Sequence, residues 1–252
     1  MDLGLQGRHA VVTGASRGIG RAIAAALAAE GAEVVAVARN EEKLRELATS
    51  PRITAHTADL SSLAAIESLA TPLETADILV FNTGGPPFGA ATDITDVSWT
   101  AQFEAMFLSA IRLTRLALPG MRKRNFGRIL LVVSSGVIQP IVNLAISNAL
   151  RAALVGWAKT LASEVAGQGI TVNCLAPGRI ATDRIVEFDQ NRARREGITF
   201  EDVQKQSRAA IPVGRYGDAG EFASVAAFLA SPLSSYVTGS VIRIDGGLIR
   251  SV

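Results

Sequence analysis

Gly14, Gly18 and Gly20, in the run Thr13-Gly14-Ala15-Ser16-Arg17-Gly18-Ile19-Gly20, stand at a spacing suited to one chemical task. They let the chain bend tightly, so that backbone N–H groups and a helix N-terminus face a pyrophosphate. The task needs a strand before the turn and a helix after it. Ala10-Val11-Val12 precedes the turn and Arg21-Ala22-Ile23-Ala24 follows it, so nucleotide binding is the expectation, with Ser16, Arg17 and Ile19 in the same turn. Ser147 and Arg151 lie four residues apart in a segment of helical pattern, so they share a face and can address one site. A hydroxyl and a guanidinium there can orient a polarised substrate and stabilise charge developing on it. Neither releases a proton readily near neutrality, since an alkyl hydroxyl is far less acidic than a phenol and a guanidinium stays charged.

These residues are positioned by short β-branched runs alternating with longer Ala- and Leu-rich amphipathic segments, the pattern of parallel strands joined by crossover helices. Strands are predicted near 9–13, 33–38, 52–56, 77–82, 127–134, 169–175 and 240–244. Helices are predicted near 18–30, 41–49, 61–70, 98–124, 146–167 and 218–230. The alternation runs through all 252 residues as one domain, broken only by a charged insert at 183–216 that reads as a helical flap over the carboxyl edge of the sheet. With 48% hydrophobic residues the chain can bury a large core.

The ordered motifs resemble those of the short-chain dehydrogenase/reductase family, whose fingerprint is the Thr-Gly-x-x-x-Gly-x-Gly of the first turn. Asp59 and Leu60 stand where that family hydrogen-bonds the adenine. Phe81-Asn82-Thr83-Gly84 is similar to its Asn-Asn-Ala-Gly after the fourth strand. Gly127-Arg128-Ile129 leads a fifth strand ending in Ser134-Ser135. Pro177-Gly178-Arg179-Ile180-Ala181-Thr182 resembles the Pro-Gly-x-x-x-Thr that grips the nicotinamide amide, and Asp245-Gly246-Gly247 closes the chain as in the family. The resemblance implies an α/β fold, a single Rossmann-type doubly wound parallel sheet of about seven strands with helices on both faces, and an NAD(P)(H)-dependent oxidoreductase. It also implies an Asn, a Ser and a Tyr-x-x-x-Lys pair as catalytic module. Met106 fills the Asn position, Ser134 is kept, Ser147 replaces the Tyr and Arg151 the Lys, which places the chain in an atypical branch similar to 3-oxoacyl-type reductases. Neither remaining tyrosine, Tyr216 or Tyr236, has a Lys four residues on.

Charge decides the cofactor expectation. The second strand ends Ala36-Val37-Ala38-Arg39, with no acidic acceptor for a free ribose, and Arg17 projects from the glycine turn toward the same place. Two guanidiniums can fork a 2′-phosphate, so NADP(H) is favoured over NAD(H). Three activities follow as alternatives: conjugate reduction of an activated C=C bond, carbonyl reduction with a substitute acid, or cofactor binding without turnover. Pro86, Pro87, Phe88, Val137, Ile138, Pro140 and Ile141 suggest an apolar or aromatic small-molecule acceptor, and Arg184 beside Asp183 could anchor a substrate carboxylate.

The remaining chemistry is excluded. Net charge is +2 and the cations are scattered; Arg122-Lys123-Arg124 reads as a helix end, so no nucleic-acid partner is expected. Cys174, the single cysteine, lies in an apolar strand and reads as a core residue, and no metal site is proposed. No leader and no run of about 18 apolar residues is visible, so a cytoplasmic protein without membrane contact is the expectation. The apolar width of the 146–167 helix, together with the family habit, points to a homotetramer.

Overall fold

The structure, a computed structural model, describes residues 2–251. Seven strands form one parallel sheet in the order β3-β2-β1-β4-β5-β6-β7. They are β1 (His9–Thr13), β2 (Glu33–Ala38), β3 (Ile53–Thr57), β4 (Ile78–Phe81), β5 (Gly127–Val132), β6 (Ile170–Pro177) and β7 (Val241–Ile244). The central strands are buried on both faces, which is why they read as continuous Val, Ile and Leu rather than as an alternation. In register, Val11 lies opposite Val35, Val80 opposite Leu130 and Leu131 opposite Cys174.

Two cores sandwich the sheet. On one face α1 (Gly18–Ala29) and α10 (Ala219–Ala230) bury Ile23, Leu27, Phe222 and Ala226. On the other, α4 (Ala70–Thr75), α6 (Ser109–Arg124) and α7 (Ala145–Val165) bury Leu73, Leu113, Ala117, Leu154 and Leu161. Cys174 belongs to this second core, where burial pushes its thiol up to about 12, as a packing residue requires. The remaining helices are α2 (Glu41–Leu47), α3 (Leu63–Glu67), α5 (Asp96–Phe103), α8 (Asp183–Glu196) and α9 (Phe200–Ala209).

The structure departs from periodicity at two helices. The 61–70 segment becomes α3 and α4, split at Ser68–Leu69, because Pro72 has no N–H to bond the Ser68 carbonyl and its ring would collide with it. The 98–124 segment is interrupted by a π-helical turn at Glu104–Leu108, which adds a residue to the turn and breaks the 3.6-residue rhythm. Ser109 Oγ donates to the Ala105 carbonyl at 2.6 Å and Arg112 pairs with Glu104 at 2.7 Å across this turn. It carries buried Met106 to the cleft wall, against Ile146 and Leu150 of α7.

Arg128 is 2% exposed at the start of β5, where its guanidinium donates to the carbonyls of Ser231, Gly127 and Gly169 and stacks 4.3 Å from the Phe126 ring. The charge thus ties α10, β5 and the turn before β6 together. At the α4–α6 crossing the backbones nearly touch. A Cβ on Gly120 would lie 1.9 Å from the Glu74 carbonyl oxygen. Gly120→Ala is therefore expected to lower the denaturant midpoint, by about 1 to 3 kcal/mol of stability, through overpacking against backbone that cannot yield. Wild-type stability in that variant would refute the close approach.

Candidate active site

A cleft of about 1490 Å³ opens along the carboxyl ends of the strands, where a doubly wound sheet reverses its winding between β1 and β4. Its floor begins with the glycine turn after β1. Gly14 has φ 61° and a Cβ there would lie 2.6 Å from the Asn82 carbonyl oxygen; a Cβ on Gly20 would lie 2.2 Å from the Gly14 carbonyl oxygen. Only glycine fits at either place. α1 starts at Arg17 with no side-chain cap, so its first N–H groups remain free for an anion. Beside them the hydroxyl of Thr83, which lines the cleft, is buried without a hydrogen-bond partner. A cradle that admits no Cβ, uncapped N–H donors and an orphaned hydroxyl together fit a dinucleotide.

Of the sequence-predicted cofactor residues, Gly14, Ser16, Arg17, Gly18, Ile19, Arg39, Asp59, Leu60, Asn82, Thr83, Gly84, Pro177, Gly178 and Thr182 line this cleft. Gly20 and Ile180 do not. Gly20 packs beneath the turn, and Ile180 is 4% exposed and bridges to Gly217 at the base of the flap. Asp59 is held ionised below the usual carboxylate range, first by the backbone N–H of Ser61 at 3.0 Å and then by the Ser61 hydroxyl at 2.8 Å. Arg39 and Lys43 line the end of β2 and make no ion pair among the described residues; Asn40 caps α2 through the Lys43 N–H at 2.9 Å. Arg17 instead pairs with the flap, 3.7 Å from Asp183 and 3.4 Å from Glu187.

The other end of the cleft is built where β5 meets α7. Ser134 follows β5 and accepts the Gly136 N–H at 3.0 Å, starting the short 3-10 turn Ser135–Val137. Ser147 and Arg151 lie on the buried face of α7, each 6% exposed, and both line the cleft with Ser134. Arg151 Nη1 donates to the Val132 carbonyl at 2.5 Å, fixing the guanidinium against the end of β5. No carboxylate pairs with it among the described residues. Burial, and then Arg184 nearby, pull its pKa down to about 10, so it stays charged at neutral pH. Of the apolar residues singled out from sequence, Pro86, Pro140 and Ile141 line the cleft, whereas Pro87, Phe88, Val137 and Ile138 do not. Ile185, Phe188 and Leu248 add to the apolar wall.

Sequence reasoning missed two positioning devices. Asn148 Nδ2 donates to the Ile141 carbonyl at 2.9 Å and its Oδ1 accepts the Ile141 N–H at 3.2 Å, pinning the 135–141 loop to α7. An Asn within a helix is the signal, since its side chain competes for backbone partners there. The second is a network under the flap. Asp189 is fully buried, pairs with Arg179 at 2.5 Å and accepts the Tyr216 hydroxyl at 2.5 Å. Burial, then the bond to Asp189, holds the Tyr216 phenol above its ordinary value, so it is no acid for the cleft. Tyr236 is fully exposed.

A carboxyl-edge cleft with an anion cradle at one end and buried polar groups at the other defines a dinucleotide-dependent oxidoreductase. A family model described as enoyl-(acyl carrier protein) reductase matches residues 14–249. The 3-oxoacyl-(acyl-carrier-protein) reductase FabG of Salmonella typhimurium is 37% identical over 98% of this chain and 99% of its own. Among solved structures, YwfH, an NADPH dependent reductase involved in bacilysin biosynthesis, superposes with a TM-score of 0.92 at 32% identity, covering 98% of this chain and 100% of that one. L-sorbose reductase from Gluconobacter frateurii, complexed with NADPH and L-sorbose, does so with 0.93 at 33% identity over 100% of both chains. The chain belongs to the short-chain dehydrogenase/reductase family and is an NAD(P)-dependent oxidoreductase.

Asp189→Asn should take the counter-charge from partly exposed Arg179, weaken its bond at the buried end of the pair, and loosen the flap by about 1 to 3 kcal/mol. Limited proteolysis would then cut first within 183–216. Protection equal to wild type would show that the pair does not hold the flap.

Proposed function

We propose that this chain is an NADPH-dependent reductase of an activated C=C bond. The observation that carries this reading is the far end of the cleft itself: Ser147 and a buried Arg151, charged at neutral pH, line it, and neither tyrosine reaches it. When bound, the nicotinamide supplies a hydride to carbon. Conjugate addition delocalises the resulting charge into an enolate, which asks for stabilisation rather than for an immediate proton on oxygen. Arg151 supplies positive charge, Ser134 and Ser147 supply hydroxyl donors, and water protonates carbon afterwards. The glycine turn, Asn82–Gly84, Pro177–Gly178 and Thr182 hold the cofactor. Arg39 and Lys43 support NADP(H) over NAD(H), since neither makes an ion pair among the described residues and both line the cleft at the end of β2, where a 2′-phosphate would lie. Carbonyl reduction is the second reading, favoured by the FabG likeness. The homotetramer is supported by the outer face of α7, where Ala152, Ala153 and Gly156 are exposed, and by exposed Phe103 stacked on Phe107. A cytoplasmic setting agrees with the described residues holding no helix long and apolar enough to cross a membrane.

NADPH oxidation with an enone and with the matching saturated ketone tests the reading: turnover of the enone by at least about tenfold in kcat/KM is expected, and the reverse order gives carbonyl reduction the site. The pH profile should stay flat from about pH 6 to 9, because Arg151 remains charged and Ser147 does not titrate. A limb within that range would reveal another acid. Arg39→Ala should weaken NADPH binding in calorimetry by about tenfold and NADH far less; equal losses would sink the 2′-phosphate assignment.

A further inference from the structure

Cations outnumber carboxylates along the cleft: Arg17, Arg39 and Lys43 line it at the glycine turn and the end of β2, and Arg151, Arg179 and Arg184 line it elsewhere. Phosphates of a dinucleotide account for the cations at the glycine turn and the end of β2. They leave the other end unexplained. Arg179 is neutralised by Asp189 and Arg192 by Glu196 at 2.9 Å, but Arg151 is buried with no anionic partner among the described residues. A buried guanidinium without a counter-charge costs stability unless a ligand supplies one.

Arg184, on the first turn of α8, faces the same end of the cleft and is held ready. Its Nη2 donates to the Pro86 carbonyl at 2.9 Å, its Nη1 to Glu187 at 3.2 Å, and the guanidinium lies 4.5 Å from the Phe88 ring centre. Gly85 leaves room for it, since a Cβ there would lie 2.6 Å from Arg184 Nε. Glu187 is shared with Arg17, so it does not fully neutralise Arg184. A planar fork fixed on three sides, with N–H donors to spare, matches a carboxylate.

We infer that the substrate is an acid, whose carboxylate docks on Arg184 in the field of Arg151 while its apolar body lies along Pro140, Ile141 and Phe188. This deepens the reductase reading and rests on it for turnover, though not for binding. It separates the chain from enzymes that take acyl thioesters, whose acyl end carries no such charge.

The probe is 3-benzoylacrylate, which joins an aromatic ring and an activated C=C bond to a carboxylate, against its uncharged ethyl ester. Calorimetric titration of both into NADP+-saturated protein should show the acid binding at least about tenfold more tightly. Arg184→Met, which keeps the apolar stem, should erase that preference and leave the ester unchanged, and Arg184→Lys should restore part of it. Glu187→Gln removes the carboxylate that competes for Arg184, so acid binding should hold or tighten, which keeps the inference testable if Arg184→Met does not fold. Equal binding of acid and ester by the wild type, parallel losses of both in Arg184→Met, or Glu187→Gln weakening the acid alone would each overturn it. NADPH oxidation with the two probes is read separately. Acid-selective binding without oxidation of either would leave the anion site standing and strike the reductase reading; oxidation of both at equal rates with equal binding would do the opposite.

Discussion

Thr13 and Asn82 join the carboxyl ends of β1 and β4 by a reciprocal pair of hydrogen bonds. The Thr13 hydroxyl donates to the Asn82 carbonyl at 2.9 Å and accepts the Asn82 N–H at 2.9 Å, while Asn82 Nδ2 donates to the Gly14 carbonyl at 3.3 Å. This junction sits at the point where the winding of the sheet reverses, so crossovers leave in opposite directions and open the cleft. Everything in the cradle is measured from it. Gly14 must pass within contact of Asn82 and Gly20 beneath Gly14, which excludes side chains from both and leaves the first N–H groups of α1 facing outward. A polar side chain at the end of one strand thereby fixes the backbone that receives a cofactor on the next.

The flap is attached by charge as well as by apolar packing, which buries Val203 and Ile211. Buried Asp189 gathers the half-buried side chains of Arg179 and Tyr216, and Arg179 also lies 4.9 Å from the Phe188 ring centre. At the rim, Asp183 and Glu187 reach Arg17 in the glycine turn. Asp189 is fully buried, so losing a partner there leaves its charge uncompensated, whereas the exposed rim pairs are weak.

At the far end of the cleft Ser134 follows β5, and α7 directs Ser147 and Arg151, four residues apart, into the cleft. Arg151 is tethered by its Nη1 to the end of β5, a bond that makes the guanidinium a fixed source of positive potential rather than a mobile one. A fixed charge of this kind can stabilise negative charge that develops on a bound ligand.

The strands and the glycine turn were legible because their determinants are local: β-branched runs, and three glycines between a strand and a helix. That Ser147 and Arg151 share one face of a helix was legible too, since it needs only their four-residue spacing in a segment of helical pattern. The breaks at Ser68–Leu69 and Glu104–Leu108 were not read, because one follows from a proline four residues on and the other inserts a residue without changing composition. Sequence alone therefore determined the order of the elements and the kinds of group available at each strand end. Tertiary structure decided which of those groups meet. Ion pairs form over distance in space, not along the chain, so only the folded molecule could assign Arg17 and Arg179 to carboxylates of α8, leave Arg39 and Arg151 free of them, and bring Asn148 onto the loop that follows Ser134.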